Sequence, residues 1–226
     1  MDSTFKKGNE YSFRDIYGKF IHILDMDLAN SYVNTTNSGN DSTSNDEILN
    51  SVFVYCYVDH TVGLSFLMLT LGVYEDNRTK YFDRVDYDNR VVISKDIFNN
   101  VNARILSEGS SIIDEYETYA KEHAKMYSNE ELDRLRDIEL IDQFRNNDYP
   151  DDIIVYFSKD DLKLEAMWVR LEREGKPYMI GQLLNEPDQD FGCNVGDTLR
   201  VYLIKTDDDE LITLADLDNV NKDIWE

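Results

Sequence analysis

Short apolar runs rich in β-branched and aromatic residues recur along the first part of the chain. They are Phe20 to Leu24, Val52 to Val58, Leu64 to Val73 and Val91 to Ile93, each bounded by Asn, Asp, Gly or Ser. Runs of this length and make-up read as strands of an antiparallel sheet. Between the first two lies Asn34 to Asp46, a stretch with no apolar side chain to anchor it, which reads as a mobile loop. From Ser94 the period changes to helical. Ser94 is placed to cap a helix carrying Ile97, Phe98, Val101, Ile105 and Leu106, broken at Gly109. A second helix opens at Ser110 or Ser111, with Ile113, Tyr116, Ala120, Ala124 and Tyr127 stepping by three or four. Ser128-Asn129-Glu130-Glu131 has the form of a capping box, and Leu132, Leu135, Ile138, Ile141 and Phe144 follow it, predicting a third helix that turns back on the second.

Pro150 cannot continue a helix and pushes Tyr149 toward extended geometry, which sets a boundary near Asn147. Beyond it the strand pattern returns in Ile153 to Phe157, Leu162 to Leu171, Tyr178 to Leu184, Leu199 to Ile204 and Leu211 to Leu214. Turns are expected at Glu174 to Pro177, Asn185 to Pro187 and Asp207 to Glu210. The expected architecture is α+β: an N-terminal domain of antiparallel sheet and three helices over residues 1–148, then a β-rich domain over 149–226.

Composition supports this reading. Asp outnumbers Glu 30 to 16 and Asn occurs 19 times, which favours strands joined by Asx turns over a helical bundle. The chain has 23 basic against 46 acidic residues, a net charge of −23, yet is 42% apolar, so it has enough to bury to offset its ordering entropy. Direct nucleic-acid binding is disfavoured, because phosphate contact runs on Lys and Arg. The twelve residues Val62 to Val73 form the longest apolar stretch, short of the roughly 20 that a spanning helix needs. No membrane association is expected. No apolar run follows Lys6 and Lys7, so no secretory signal is read and a cytoplasmic location is expected. Cys56, inside an aromatic and β-branched run, reads as a buried reduced thiol, and no disulfide with Cys193 is expected.

The chemistry of catalysis is sparse. His22 alternates to the polar side of its strand and His123 falls beside the stripe of its helix, so both read as solvated or capping residues; His60 follows Asp59 at a strand end. No HExxH pattern or paired Cys/His spacing occurs, and no P-loop or nucleophile elbow. Ser65 reads as a strand residue. The acidic triplets Asp86-Tyr87-Asp88 and Asp207-Asp208-Asp209 lack the Gly and Glu that a calcium-binding loop places at its sixth and twelfth positions. No catalytic residue, cofactor or metal is therefore assigned.

One stretch carries a resemblance. Glu165-Ala166-Met167-Trp168-Val169, then Gly181-Gln182-Leu183-Leu184-Asn185-Glu186-Pro187, then Gly196-Asp197 before an apolar strand resembles the YegJ-like family of small bacterial domains. Members of that family show a Met-Trp-Val strand, a Gly-x-Leu-x-Asn-x-Pro segment and a Gly-Asp turn in this order. The resemblance covers about Ile153 to Leu217 and departs at the last strand, where Ile212 to Leu217 lacks the family's aromatic residue. It implies a bacterial source and assigns no activity. On physical grounds Trp168 reads as an anchor under the small sheet, Gly181 as a bulge or close approach, Asn185 to Pro187 as a turn, and Gly196 as a positive-φ position. A second reading makes Trp168, Asn185 and Asp197 one edge of a binding groove.

Strong acidity without a catalytic constellation points to an acidic protein that binds a basic protein partner, of the immunity or antitoxin kind. The exposed carboxylates expected to meet that partner are Asp207, Asp208, Asp209 and Glu210 at a hairpin tip, with Asp114 and Glu117 on the second helix. Alternatives are a DNA mimic, using Asp83, Asp86, Asp88 and the Asp114, Glu115, Glu117 and Glu122 face, and an enzyme with carboxylate chemistry. An acidic surface that only keeps the protein soluble is a fourth reading.

Overall fold

The computed structural model describes residues 4–36, 48–82 and 90–222. The fold is α+β, and the chain packs as two compact units, Met1–Tyr127 and Ser128–Glu226. The division falls after Tyr127, not near Asn147, because Leu132, Leu135 and Ile141 bury in the core of the second unit.

The N-terminal unit is built on an antiparallel sheet of β1 (Lys6–Lys7), β2 (Phe20–Leu24), β3 (Ser51–Asp59), β4 (Gly63–Glu75), β5 (Arg78–Tyr81), β6 (Val92–Ser94) and β7 (Asn102–Ile105). The order is β1-β7-β2-β3-β4-β5, with β6 also on β4. Strands β3 and β4 are central and buried over most of their length, as covering on both faces requires. One face, with Ile21, Ile23, Val52, Val54 and Phe66, packs with Phe13 and Ile16 of α1 (Phe13–Ile16), Ala29 of α2 (Met26–Thr36) and Phe98 of α3 (Lys95–Asn100). The other, with Phe20, Phe53, Tyr55, Leu67 and Leu69, packs with Ile112, Tyr116 and Ala120 of α4 (Ser111–Lys125). The register slips between Phe53 and Val54, opposite Leu69. That bulge resets the alternation of β4, so Leu71 rejoins the face of Phe66 and Met68.

The expected three-helix segment does not form. The helix from Ser94 ends at Asn100, and Ala103, Arg104 and Ile105 extend as β7 against Ile23, His22 and Ile21. Val101 is already extended, and Ala103 and Ile105 fit a period of two as well as a helical one. Pairing with β2, a partner distant in sequence, decides between them. The second helix stands as expected from Ser111. The third is one short piece, α5 (Glu130–Arg136), followed by a 3₁₀ segment, Glu139–Phe144, and it belongs to the second unit. Its cap is Asn129, whose Oδ1 accepts from the backbone of Glu131 and Leu132, and Ser128 is turned to Asp133 and Arg136 instead. Residues 34–36 close α2, and the rest of the polar stretch to Asp46 lies outside the described residues.

The C-terminal unit is a closed barrel of β8 (Asp152–Phe157), β9 (Glu165–Glu174), β10 (Met179–Leu183), β11 (Thr198–Lys205) and β12 (Leu211–Asp216). Five strands in an antiparallel meander leave the first and last pointing the same way, so the seam between β12 and β8 is parallel, at Leu214 and Tyr156. Buried Thr213 adds a hydrogen bond across it to the carbonyl of Ile154. Ile153, Val155, Phe157, Met167, Val169, Leu171, Leu183, Leu199 and Val201 fill the interior. Gly181 sits at a register shift, where a Cβ would lie 2.5 Å from the carbonyl oxygen of Arg170 and 2.6 Å from Val169 Cγ1. Only glycine lets β9 and β10 close at this point.

Trp168 is not the expected anchor under the sheet. It alternates outward between the buried Met167 and Val169 and is half-buried.

Candidate functional site

Two of the three histidines are buried, against the expectation from periodicity. His22 has no exposed surface. Its ring stacks on Phe53 at 4.5 Å, and its Nδ1 accepts from Arg104 Nε at 3.2 Å. The proton therefore rests on Nε2, which donates to Ser51 Oγ at 2.9 Å. Ser51 Oγ donates on to Asn50 Oδ1, and the Asn50 amide donates to the carbonyl of Tyr74. Burial first, and the Arg104 charge second, hold the His22 pKa down to about 3. The polar side of β2 thus carries a cluster of rings and hydrogen bonds that covers His22, made by segments far apart in sequence.

His123 is 2% exposed on α4. It packs edge-on against Tyr57 and beside Tyr127, and neither ring nitrogen has a hydrogen-bond partner among the described residues. Burial lowers its pKa, with Arg90 adding to the effect, while burial raises that of Tyr57. Imidazole here occupies a site suited to a purely apolar ring. His123→Phe is expected to leave unfolding stability unchanged or raise it by about 1 kcal/mol, read by urea denaturation, because it removes two buried polar atoms that have no partner among the described residues while keeping a ring in place. A loss of several kcal/mol would show that the imidazole is chemically needed. His60 follows Asp59, whose carboxylate accepts from Thr61 and Val62 and shapes the turn to β4. Ser65 is a strand residue, its hydroxyl on the carbonyl of Gly63.

The buried charges of the barrel unit are structural. Arg136, 1% exposed, grips Asp151 with two hydrogen bonds of 2.9 and 2.6 Å. Arg145 reaches Asp142 and the carbonyls of Pro150 and Leu135, and Arg170 forks onto Asp152. These contacts fix α5 and the segment after it to the start of β8.

The motif residues lie together at one end of the barrel. Asn185 Oδ1 accepts from the backbone of Trp168, the Leu184 amide donates to the Trp168 carbonyl, and the Leu183 amide donates to the Asp197 carbonyl. Gly196 has φ of +92°, and Asp197 accepts from Asn194 and Asn221. Each of these contacts orders a turn. The loops 158–164 and 184–197 are stitched by Lys163 to Gln189 and by Asp188 and Gln189 to Glu165. Glu186 accepts from Val195 and Asp190 from Gly192. Glu165, Glu186, Asp188, Asp190 and Asp197 have no ion-pair partner among the described residues. Sequence patterning gave no sign of this group, since four members lie in the loop 184–197 and the fifth, Glu165, starts β9 some twenty residues earlier in the chain.

Asp207, Asp208, Asp209 and Glu210 form the exposed turn between β11 and β12, at the other end of the barrel, and Asp209 meets Lys205 at 2.7 Å. Asp114 and Glu117 are exposed on α4, with Glu117 paired to Lys121. These two sets belong to different compact units. Asp83, Asp86 and Asp88 lie outside the described residues. An open cleft in the N-terminal unit is lined by Met26, Asn50, Tyr74, Arg78 and Lys80 among others. Among the described residues no cluster of His, Cys, Asp and Glu is arranged to hold a metal ion, and no helix is long and apolar enough to cross a membrane.

No protein-family model, curated protein or solved structure matches this chain.

Proposed function

We propose that this chain is a non-catalytic acidic protein that binds a basic protein partner, as an immunity or antitoxin type inhibitor does, and that its barrel unit supplies the docking surface. The observation that carries the reading is where the charge is left over. Residues 128–226 hold 11 basic and 26 acidic side chains, a balance of −15, against 12 and 20, or −8, in residues 1–127. Arg136, Arg145 and Arg170 are turned to carboxylates of the barrel's own framework, while Glu165, Glu186, Asp188, Asp190 and Asp197 are placed by hydrogen bonds to amides and meet no cation among the described residues. Carboxylates fixed in this way present negative charge at low ordering cost to a basic surface. The exposed Asp207 to Glu210 turn adds negative charge at the other end of the barrel, and Asp114 and Glu117 are exposed on α4 of the N-terminal unit. The resemblance of Ile153 to Leu217 to YegJ-like domains belongs to this proposal, as the bacterial setting in which such inhibitors act.

The test is affinity capture from the native host at about 0.15 M and about 0.5 M salt, with the tagged protein beside a Glu186→Gln, Asp188→Asn, Asp190→Asn variant. The expected result is one basic protein retained by the wild type at the lower salt, released at the higher as the Debye length falls below roughly 8 Å, and held about tenfold less by the variant. Equal retention by both proteins, or none by either, would overturn the reading. If the retained partner acts on nucleic acid and DNA competes for it, mimicry of DNA replaces inhibition by a general acidic face.

A further inference from the structure

Arg104 differs from Arg136, Arg145 and Arg170 in having no carboxylate partner among the described residues. It projects from β7 on the side of the sheet that carries His22 and Phe53. Its Nε is committed to His22 Nδ1. Its guanidinium carbon rests 4.7 Å from the Phe5 ring centre and 5.0 Å from that of Tyr74, two rings that meet edge to face 5.3 Å apart. Both terminal amines, Nη1 and Nη2, are left without a hydrogen-bond or ion-pair partner among the described residues.

Acidic side chains outnumber basic ones 46 to 23, and Arg136, Arg145 and Arg170 each meet a carboxylate at 2.9 Å or less. Arginine does not lose its proton in a protein, so the charge of a half-buried guanidinium has to be met by water or by an anion. Here the side chain is already held by one hydrogen bond and two rings. His22 is locked as an acceptor by the bonds that run from its Nε2 through Ser51 and Asn50 to Tyr74, and the two rings restrain the guanidinium plane. The rotamer entropy that anion binding would otherwise remove has therefore been lost on folding. A rigid fork with two free amines matches the spacing of two oxygens on one carboxylate or phosphate group.

We propose that Arg104, held by His22, Phe5 and Tyr74, is the binding site for a small oxyanion, taken in bidentate fashion by Nη1 and Nη2. The site lies in the N-terminal unit and stands or falls independently of the acidic docking surface of the barrel.

The probes are inorganic phosphate and benzoate, the second offering a planar carboxylate on a ring that can lie against Phe5 and Tyr74. Each is titrated into the whole protein at about 0.15 M chloride, where long-range repulsion by the negative surface is screened. The readout is the nitrogen-15 and proton resonance of the Arg104 side-chain Nε–H. A saturable shift with at least one probe is expected, phosphate alone marking a phosphate site and benzoate alone a carboxylate site. Arg104→Lys keeps the charge and removes the fork, and is expected to weaken binding about tenfold, followed by the resonances of the β2 and β7 amides. Circular dichroism of this variant checks that it is folded. No saturable shift with either probe, or undiminished binding in the Lys variant, would overturn the proposal.

Discussion

Arg136→Met will destabilise the barrel unit by about 3–5 kcal/mol, because it takes from the buried Asp151 carboxylate the guanidinium that makes two hydrogen bonds to it. Domains are stable by only about 5–15 kcal/mol, so this one change brings the unit close to unfolding at body temperature. Adding Asp151→Asn should recover most of the loss, since the buried charge that Arg136 balanced is then gone and the remaining amide needs only ordinary hydrogen bonds. Urea unfolding followed by the fluorescence of Trp168 reads the effect. A double variant as unstable as the single one would mean that Arg136 matters through its packing and its contacts to Ser128 and Asp133 and not through Asp151.

Acid will weaken the N-terminal unit through His22. The sign follows from its pKa of about 3 in the folded protein against 6.5 in the unfolded chain. Above the unfolded value both states are neutral and the histidine is neutral in its effect on stability. As pH falls toward 3 the unfolded chain takes up a proton that the folded one refuses, so stability falls, and below the folded value it falls no further. At about pH 5 the loss from this one group is about 2 kcal/mol. Protonation of the many carboxylates acts over the same range, so the comparison is with His22→Gln, which can still accept from Arg104 and donate to Ser51. The stability difference between wild type and variant should change by about 2 kcal/mol between about pH 7.5 and about pH 5, read by hydrogen exchange of the β2 and β3 amides. An unchanged difference would show that His22 is protonated in the folded state. Removing Arg104 should raise the His22 pKa, since that charge is part of what holds it down.

These two residues mark how far the candidate sites could be read in advance. The exposed carboxylates at Asp207 to Glu210 and on α4 were legible, because turn chemistry and helical period alone put them on the surface. The group formed by Glu165, Glu186, Asp188, Asp190 and Asp197 was not, since its loops are joined by bonds such as Lys163 to Gln189 that no spacing announces. The role of Arg104 was hidden for a further reason. The segment from Ser94 to Leu106 fits one helix on its own, and only as a strand beside β2 does it place Arg104 against His22.

The sequence by itself determined the α+β class, the strands at Phe20, Val52 and Leu64, the helix from Ser111, the five strands after Asp151 and the glycine at position 181. Each of these is a local matter of period, turn residues and backbone freedom. Tertiary structure decided the rest: β7 in place of a longer helix, the attachment of α5 to the barrel, the outward side of Trp168, and the burial of His22 and His123. A single strand shows two faces to its sequence but not which of them will be covered. His22 lies on the side of β2 that looks polar, and it is buried because Phe5, Phe53 and Tyr74 arrive there from three other parts of the chain.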